Sequence, residues 1–152
     1  MKTMPLQPNL TAAILVVEDD VNHMELLNLA IQELPEALPV IMAVDGLEAL
    51  ERLQSIPVAA FAATVLMVLL DLRLPKMHGL EVLARAHALG LTTQAPFVVL
   101  TSSDNSSERE RALALGARDY QIKPVGFMPL QTMVLGLYQR FIAHDDHRRQ
   151  SR

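Results

Sequence analysis

The chain contains no cysteine, which excludes disulfides, thiol redox chemistry and thiolate metal sites. This fits a reducing compartment, and the cytoplasm is the default expectation. A long apolar run is also missing. The most hydrophobic segment, Val65 to Leu70, has six residues, against the roughly 20 that a membrane-spanning helix needs. A broad positive field is missing too, since the formal net charge of -4 argues against a surface that tracks the phosphates of a nucleic acid. The opening residues, MKTMPLQPNLTAA, hold one lysine and two prolines and lack the apolar stretch of a targeting signal. His23, His78, His87, His144 and His147 form no pair at metal-ligand spacing and read as surface residues. These absences predict a soluble protein with neither a membrane nor a nucleic acid as partner.

A length of 152 residues suits one domain with a substantial core. The expected division is a lead-in over 1–12, a domain over 13–143 and a tail over 144–152. Strand-like runs alternate with helical periods along the chain. Ala13 to Val17 is a β-branched apolar run bounded by acids, and Asp20 can cap a helix with Val21, Met24, Leu27, Leu29 and Ile31 on its apolar stripe. Pro39 to Val44 reads as a second strand, and Leu47, Leu50 and Leu53 form the stripe of a second helix. Ser55 to Thr64 reads as a helix end plus loop, because Pro57 argues for a break.

Val65 to Asp71 is the third strand, Leu80 to Leu89 a helix closed by Gly90, and Phe97 to Thr101 the fourth strand. A short helix capped by Ser106 or Ser107 runs to Leu115. Tyr120 to Ile122 is the fifth strand, and a last helix spans about Met128 to His144. Five βα units with short connections predict an α/β domain, a doubly wound parallel sheet covered on both faces. Ligands of such sheets bind outside the carboxyl ends of the strands.

Those ends carry Glu18, Asp19 and Asp20 after the first strand, Asp71 after the third, Thr101 after the fourth and Lys123 after the fifth. Carboxylates crowded together cannot all stay ionised without a counter-charge. All-oxygen ligands with room for water and phosphate favour Mg²⁺. A phosphoryl group on Asp71 would employ the rest: the Thr101 hydroxyl and the Lys123 ammonium could each take one of its oxygens and the cation a third. On this reading Asp71 is paired through the ion rather than by an arginine.

The set E-D-D, D-L-R-L-P-K-M-H-G, V-L-T-S and K-P-V, each after its strand, resembles the receiver domain of two-component response regulators over about Ile14 to Ile142. The resemblance implies a flavodoxin-like fold with strand order 2-1-3-4-5 and a phosphoacceptor Asp71. It implies a metal site of Glu18, Asp19, Asp71 and the Arg73 backbone carbonyl, a switch pair of Thr101 and Tyr120, a phosphate-contacting Lys123, and a cis Lys123–Pro124 bond. It implies a regulator that takes phosphoryl from a sensor histidine kinase and answers on its fourth helix, fifth strand and last helix; the short AHDDHRRQSR after that helix is too little for an output domain, so a single-domain regulator is expected. It implies no enzymatic activity beyond self-phosphorylation and self-dephosphorylation. Within the family, D-L-R-L-P-K-M, V-L-T-S-S and the tyrosine-bearing last helix are similar to the small regulators paired with phytochrome kinases.

Three other readings stand beside this one. An aspartyl-phosphate hydrolase would resemble D-x-D, but position 73 is arginine, and a flavin module would not place three acids after the first strand. A receiver that works by docking without phosphorylation keeps every residue named above. Two further expectations concern particular residues. Arg73 could lie over the phosphoryl group and slow the attack of water. In the last helix, Leu130, Met133, Val134, Leu137 and Phe141 should cover the sheet. Leu135, Tyr138 and Ile142 form a second stripe that suits either a wide core face or a homodimer seam or kinase-docking face.

Overall fold

The computed structural model describes residues 12–143, so the lead-in before Ala12 and the tail from His144 lie outside the described residues. The elements are β1 (Ala13–Val17), α1 (Val21–Gln32), β2 (Val40–Ala43), α2 (Gly46–Gln54), α3 (Val58–Thr64) and β3 (Val65–Leu70). These are followed by α4 (Gly79–Ala88), a 3-10 turn (Leu91–Thr93), β4 (Phe97–Thr101), α5 (Ser106–Ala114), β5 (Asp119–Ile122), α6 (Phe127–Tyr138) and a π-helical turn (Gln139–Ala143). The five strands are parallel in the order β2-β1-β3-β4-β5. The register aligns Val17 with Ala43 and Leu70, and Thr101 with Ile122, so the carboxyl ends of the strands form one edge.

Alternation along the strands sorts the side chains into two cores. Leu15, Val17, Val68, Leu70, Phe97 and Val99 face one side with Leu53, Phe61 and Leu83. Ile14, Val16, Met67, Leu69, Val98 and Leu100 face the other, under Met24, Leu27, Ile31, Val134 and Leu137 of α1 and α6. Both faces of β1, β3 and β4 are dry, which is why these strands read as unbroken apolar runs.

Several elements depart from the sequence reading. Ser55 to Thr64 contains a true helix, α3, because Pro57 sits at its N-cap, where a missing N–H costs nothing. Phe61, fully buried, anchors it by stacking on Phe97 with ring centroids 6.3 Å apart. The buried face of α1 is Met24, Leu27, Ala30 and Ile31, while Val21 and Leu29 are 70% and 49% exposed. Ala30 is buried in the cluster that α1 shares with α6 and the sheet. Leu47 is likewise exposed on α2. Asn105, rather than Ser106 or Ser107, caps α5 by accepting from the Glu108 amide at 3.0 Å.

The second stripe of α6 belongs to the core. Tyr138 and Ile142 are buried, Leu135 packs against the same cluster, and the Tyr138 hydroxyl donates to Glu36 Oε1 at 3.0 Å. The π-helical turn brings Ile142 inward beside Val134 and Leu137, so this stripe is no free seam. The Lys123–Pro124 bond is trans, against the expected cis form. An X–Pro amide prefers trans by only about 0.5–1 kcal/mol, so its isomer follows local packing rather than residue type.

Candidate functional site

At the C-terminal edge of the sheet, Glu18 is buried while Asp19 and Asp20 are exposed. Asp20 caps α1, accepting from the Asn22 and His23 amides at 2.8 and 3.1 Å, and these bonds hold its carboxyl below the usual range. This is the capping role expected of it. Asp71 directly follows β3, and its amide bonds to the Val17 carbonyl at 3.1 Å, which ties it to the end of β1. Its Oδ1 accepts from the Leu72 amide at 2.7 Å and the Arg73 amide at 3.4 Å. Carboxylate oxygens of Glu18, Asp19 and Asp71 all lie within 4.8 Å of one another.

The fifth strand supplies the counter-charge. Lys123 Nζ lies 2.5 Å from Glu18 Oε1 and 3.1 Å from Asp71 Oδ2, and the Lys123 amide bonds to the Thr101 carbonyl at 2.8 Å. Among the described residues Asp71 is paired with the lysine side chain and with no arginine side chain. A buried carboxylate needs an opposite charge at once, and the lysine provides it. Burial alone would lower the Lys123 pKa, but Glu18 and Asp71 outweigh it and the net shift is upward. Burial pushes Glu18 up, and the neighbouring Asp71 charge adds to it against the lowering by Lys123 and the Asp20 amide.

Three carboxylates facing one ammonium leave two negative charges to be balanced. Glu18 Oε1 is buried without an aligned hydrogen-bond donor; among the described residues it has ion contacts with Lys123 and, at 3.7 Å, with His23 Nδ1. Charge and donor chemistry both fit a hard divalent cation.

Thr101 is fully buried, and its Oγ1 accepts from the Ser103 amide at 3.4 Å. Tyr120 is also buried, with its hydroxyl donating to the Ser103 carbonyl at 2.8 Å and the Arg109 guanidinium 5.7 Å from its ring centroid. Burial raises the Tyr120 pKa.

The Arg73 guanidinium forms no ion pair with Asp71 among the described residues. It meets Glu108 Oε1 at 3.0 Å and Ser103 Oγ at 3.4 Å. The Glu108 contact was not anticipated, although Asn105-Ser-Ser-Glu108 is a capping-box spacing that marks Glu108 as a helix-start residue. Two histidines also do more than decorate the surface: His78 Nδ1 caps α4 by accepting from the Leu80 amide at 3.1 Å, and His87 bonds to Thr92 Oγ1 at 3.0 Å. Gly46 and Gly79 complete the acceptor loop, since a Cβ on Gly79 would lie 2.2 Å from the Asp71 carbonyl oxygen and one on Gly46 2.0 Å from that of Met77.

The family model described as "Response regulator receiver domain" matches residues 14–135. The chain belongs to the response regulator receiver family. This receiver is 36% identical over 121 residues to the probable methanogenesis regulatory protein FilR2 of Methanothrix harundinacea, covering 80% of this chain and 77% of that one. It is 34% identical over 137 residues to the response regulator MprA of Mycobacterium ulcerans, covering 90% of this chain and 54% of MprA. The receiver thus spans about half the length of MprA, and likewise of the alkaline phosphatase synthesis regulator SphR of Synechococcus elongatus.

Among solved structures, the phosphorylated cyanobacterial phytochrome response regulator RcpA matches with a TM-score of 0.78 at 28% identity, covering 89% of this chain and 96% of that one. The Mn²⁺-bound form of response regulator Rcp1 matches with a TM-score of 0.73 at 31% identity, covering 84% and 91%. Both agree with the five-stranded parallel order found here. No helix among the described residues is long and apolar enough to cross a membrane.

Proposed function

We propose that this receiver accepts a phosphoryl group on Asp71 from the phosphohistidine of a sensor kinase. The P–N bond to the kinase histidine breaks as a P–O bond to an Asp71 carboxylate oxygen forms, and the histidine leaves with the electron pair and takes up a proton. The observation that carries this reading is the convergence of the Glu18, Asp19 and Asp71 carboxylates within 4.8 Å, with Lys123 at the same edge. Phosphoryl transfer needs positioning and charge neutralisation more than covalent help from the protein. Asp71 is held by backbone bonds on both sides, which keeps its carboxylate oriented for in-line attack.

Glu18, Asp19 and Asp71, with the Arg73 carbonyl, would hold Mg²⁺, which when bound lowers the charge met by the incoming anion. Lys123, already at Asp71 Oδ2, pairs with a phosphoryl oxygen, and the Thr101 hydroxyl donates to another. Thr101, the last residue of β4, is bonded to Ser103 in the β4–α5 connection that anchors the Tyr120 hydroxyl, so a shift of Thr101 is passed to α5. The responding surface is α5, β5 and α6, on which Leu113, Ile122 and Met128 are exposed. A homodimer through the last-helix region has to use such exposed residues, since Tyr138 and Ile142 are in the core.

The receiver acts as a cytoplasmic phosphoacceptor, not an enzyme, and promotes only its own phosphorylation and dephosphorylation. Its kinase is a phytochrome, a pairing supported by the likeness to the phytochrome response regulator RcpA. Incubation with acetyl phosphate and Mg²⁺ followed by intact-mass measurement tests the central step. The native chain gains one phosphoryl group and Asp71→Asn gains none; an equal gain in both rejects the reading.

A further inference from the structure

Glu108 occupies the third position of α5, where a capping-box glutamate ordinarily folds back onto the amide of the N-cap residue. Here Asn105 fulfils its half of the motif, accepting from the Glu108 amide at 3.0 Å, while the Glu108 carboxylate turns toward the phosphoacceptor loop. Its Oε1 takes the Arg73 guanidinium at 3.0 Å and the Ser103 hydroxyl at 2.9 Å, and its Oε2 faces His78 Nε2 at 3.7 Å. His78 Nδ1 accepts from the Leu80 amide, which leaves the ring proton on Nε2, toward Glu108. One carboxylate thus joins the loop after β3, the loop after β4 and the start of α5.

The partner it holds matters because of where Arg73 begins. Its backbone amide is 3.4 Å from Asp71 Oδ1, so a side chain of arginine length can reach an anion built on that carboxylate. Instead it is drawn sideways to α5. We propose that Glu108 is a positioning residue that keeps the Arg73 guanidinium off the acceptor, and that a phosphoryl group on Asp71 takes Arg73 from it. This rests on Asp71 being the phosphoacceptor.

The exchange is favoured because a phosphoryl group offers about -1.5 to -2 charges and three strong acceptor oxygens, where Glu108 offers one charge. Guanidinium geometry matches phosphate better than a single carboxylate oxygen. Once Arg73 leaves, Ser103 loses a shared partner. The Ser103 carbonyl is the anchor of the Tyr120 hydroxyl. The latch therefore links the state of Asp71 to α5 and β5 by a route other than Thr101. By reciprocity, whatever loosens Glu108 makes the phosphoryl group easier to accept.

The experiment compares second-order rate constants for phosphorylation by acetyl phosphate in the native chain, Glu108→Gln, Arg73→Ala and the double variant, with melting curves to confirm folding. Glu108→Gln keeps the shape and an acceptor for Ser103 while removing the charge that holds Arg73. It is expected to raise the rate constant two- to fivefold over the native chain. With alanine at 73 the same substitution is expected to change nothing. A gain that persists with alanine at 73 would mean that Glu108 acts only by repelling the donor's charge, and would overturn the latch. An unchanged rate in Glu108→Gln, with Asp71 still phosphorylated, overturns the latch and leaves the acceptor reading standing. If Asp71 takes no phosphoryl group in the native chain, both fall together.

Discussion

Lys123 Nζ stands 3.1 Å from Asp71 Oδ2, a contact between the ends of strands that are not neighbours in the sheet. The same ammonium also holds Glu18, so its removal strands two largely buried carboxylates beside each other. Breaking a buried pair by deleting one partner costs about 3–5 kcal/mol, and the exposed rim near Asp19 reduces this toward the lower end. Lys123→Met is expected to be destabilised by about 3 kcal/mol in metal-free buffer, with part of the loss recovered in Mg²⁺. Urea denaturation with chelator and with Mg²⁺ checks both. Equal losses in the two buffers would count against a cation among these carboxylates.

Glycine placement around the acceptor makes a second test. A Cβ on Gly79 would sit 2.2 Å from the Asp71 carbonyl oxygen and 2.6 Å from Leu72 Cα, both backbone atoms that cannot rotate away. Gly136, inside α6, has nothing within 4 Å of the same added atom. Gly79→Ala is expected to lose about 3 kcal/mol or more through forced backbone displacement. Gly136→Ala is expected to gain about 0.5–1 kcal/mol from helix propensity. Thermal melts of the two variants should therefore move in opposite directions from the native chain.

Much of this arrangement could be read before any coordinates. The runs AILVV, VLMVLL and FVVLT announce strands buried on both faces, and residues placed just after them must fall on one edge. That is why Glu18, Asp71, Thr101 and Lys123 were legible together. What stayed hidden depends on contacts far apart in sequence. Glu108 meets Arg73 across 35 positions, and no local pattern says where a glutamate's carboxylate will turn. The alanines of Ser55 to Thr64 fit helix or loop equally until Phe61 finds Phe97. Likewise, the second stripe of α6 suits a core face or a partner face until the packing around it is known: Tyr138 within α6 and Ile142 in the π-helical turn are both buried.

Asp119 at the start of β5 gives a pH test away from the site. Burial tends to raise its pKa, but the Gln121 amide at 2.6 Å, Arg140 at 2.7 Å and the Tyr120 amide at 2.8 Å outweigh it and the net shift is downward. A carboxyl whose folded pKa lies below its unfolded value of about 3.9 stabilises the fold above that value, and the contribution fades as pH falls through the folded pKa. Arg140 is 54% exposed, so the ion pair adds little beyond the hydrogen bonds. The stability gap between the native chain and Asp119→Asn is expected to be about 1 kcal/mol and flat above roughly pH 5, and to close toward pH 2. A gap that widens on acidification would contradict the sign.

Phe61 decides whether α3 exists on its own terms. The helix has seven residues and no side-chain cap at Pro57, too short to hold itself together in water. Its fixed point is the stack of Phe61 on Phe97 inside the core. Phe61→Ala removes that anchor and leaves a cavity next to β4, at a cost of about 3–5 kcal/mol. Phe61→Leu keeps most of the volume and should cost about 1.5 kcal/mol or less. If tertiary packing alone holds the segment, amide exchange in Phe61→Ala accelerates first across Val58–Thr64 while β1 and β3 stay protected near the global limit. Uniform acceleration across the whole domain would instead make α3 part of the main cooperative unit, with Phe61 serving the sheet more than its own helix.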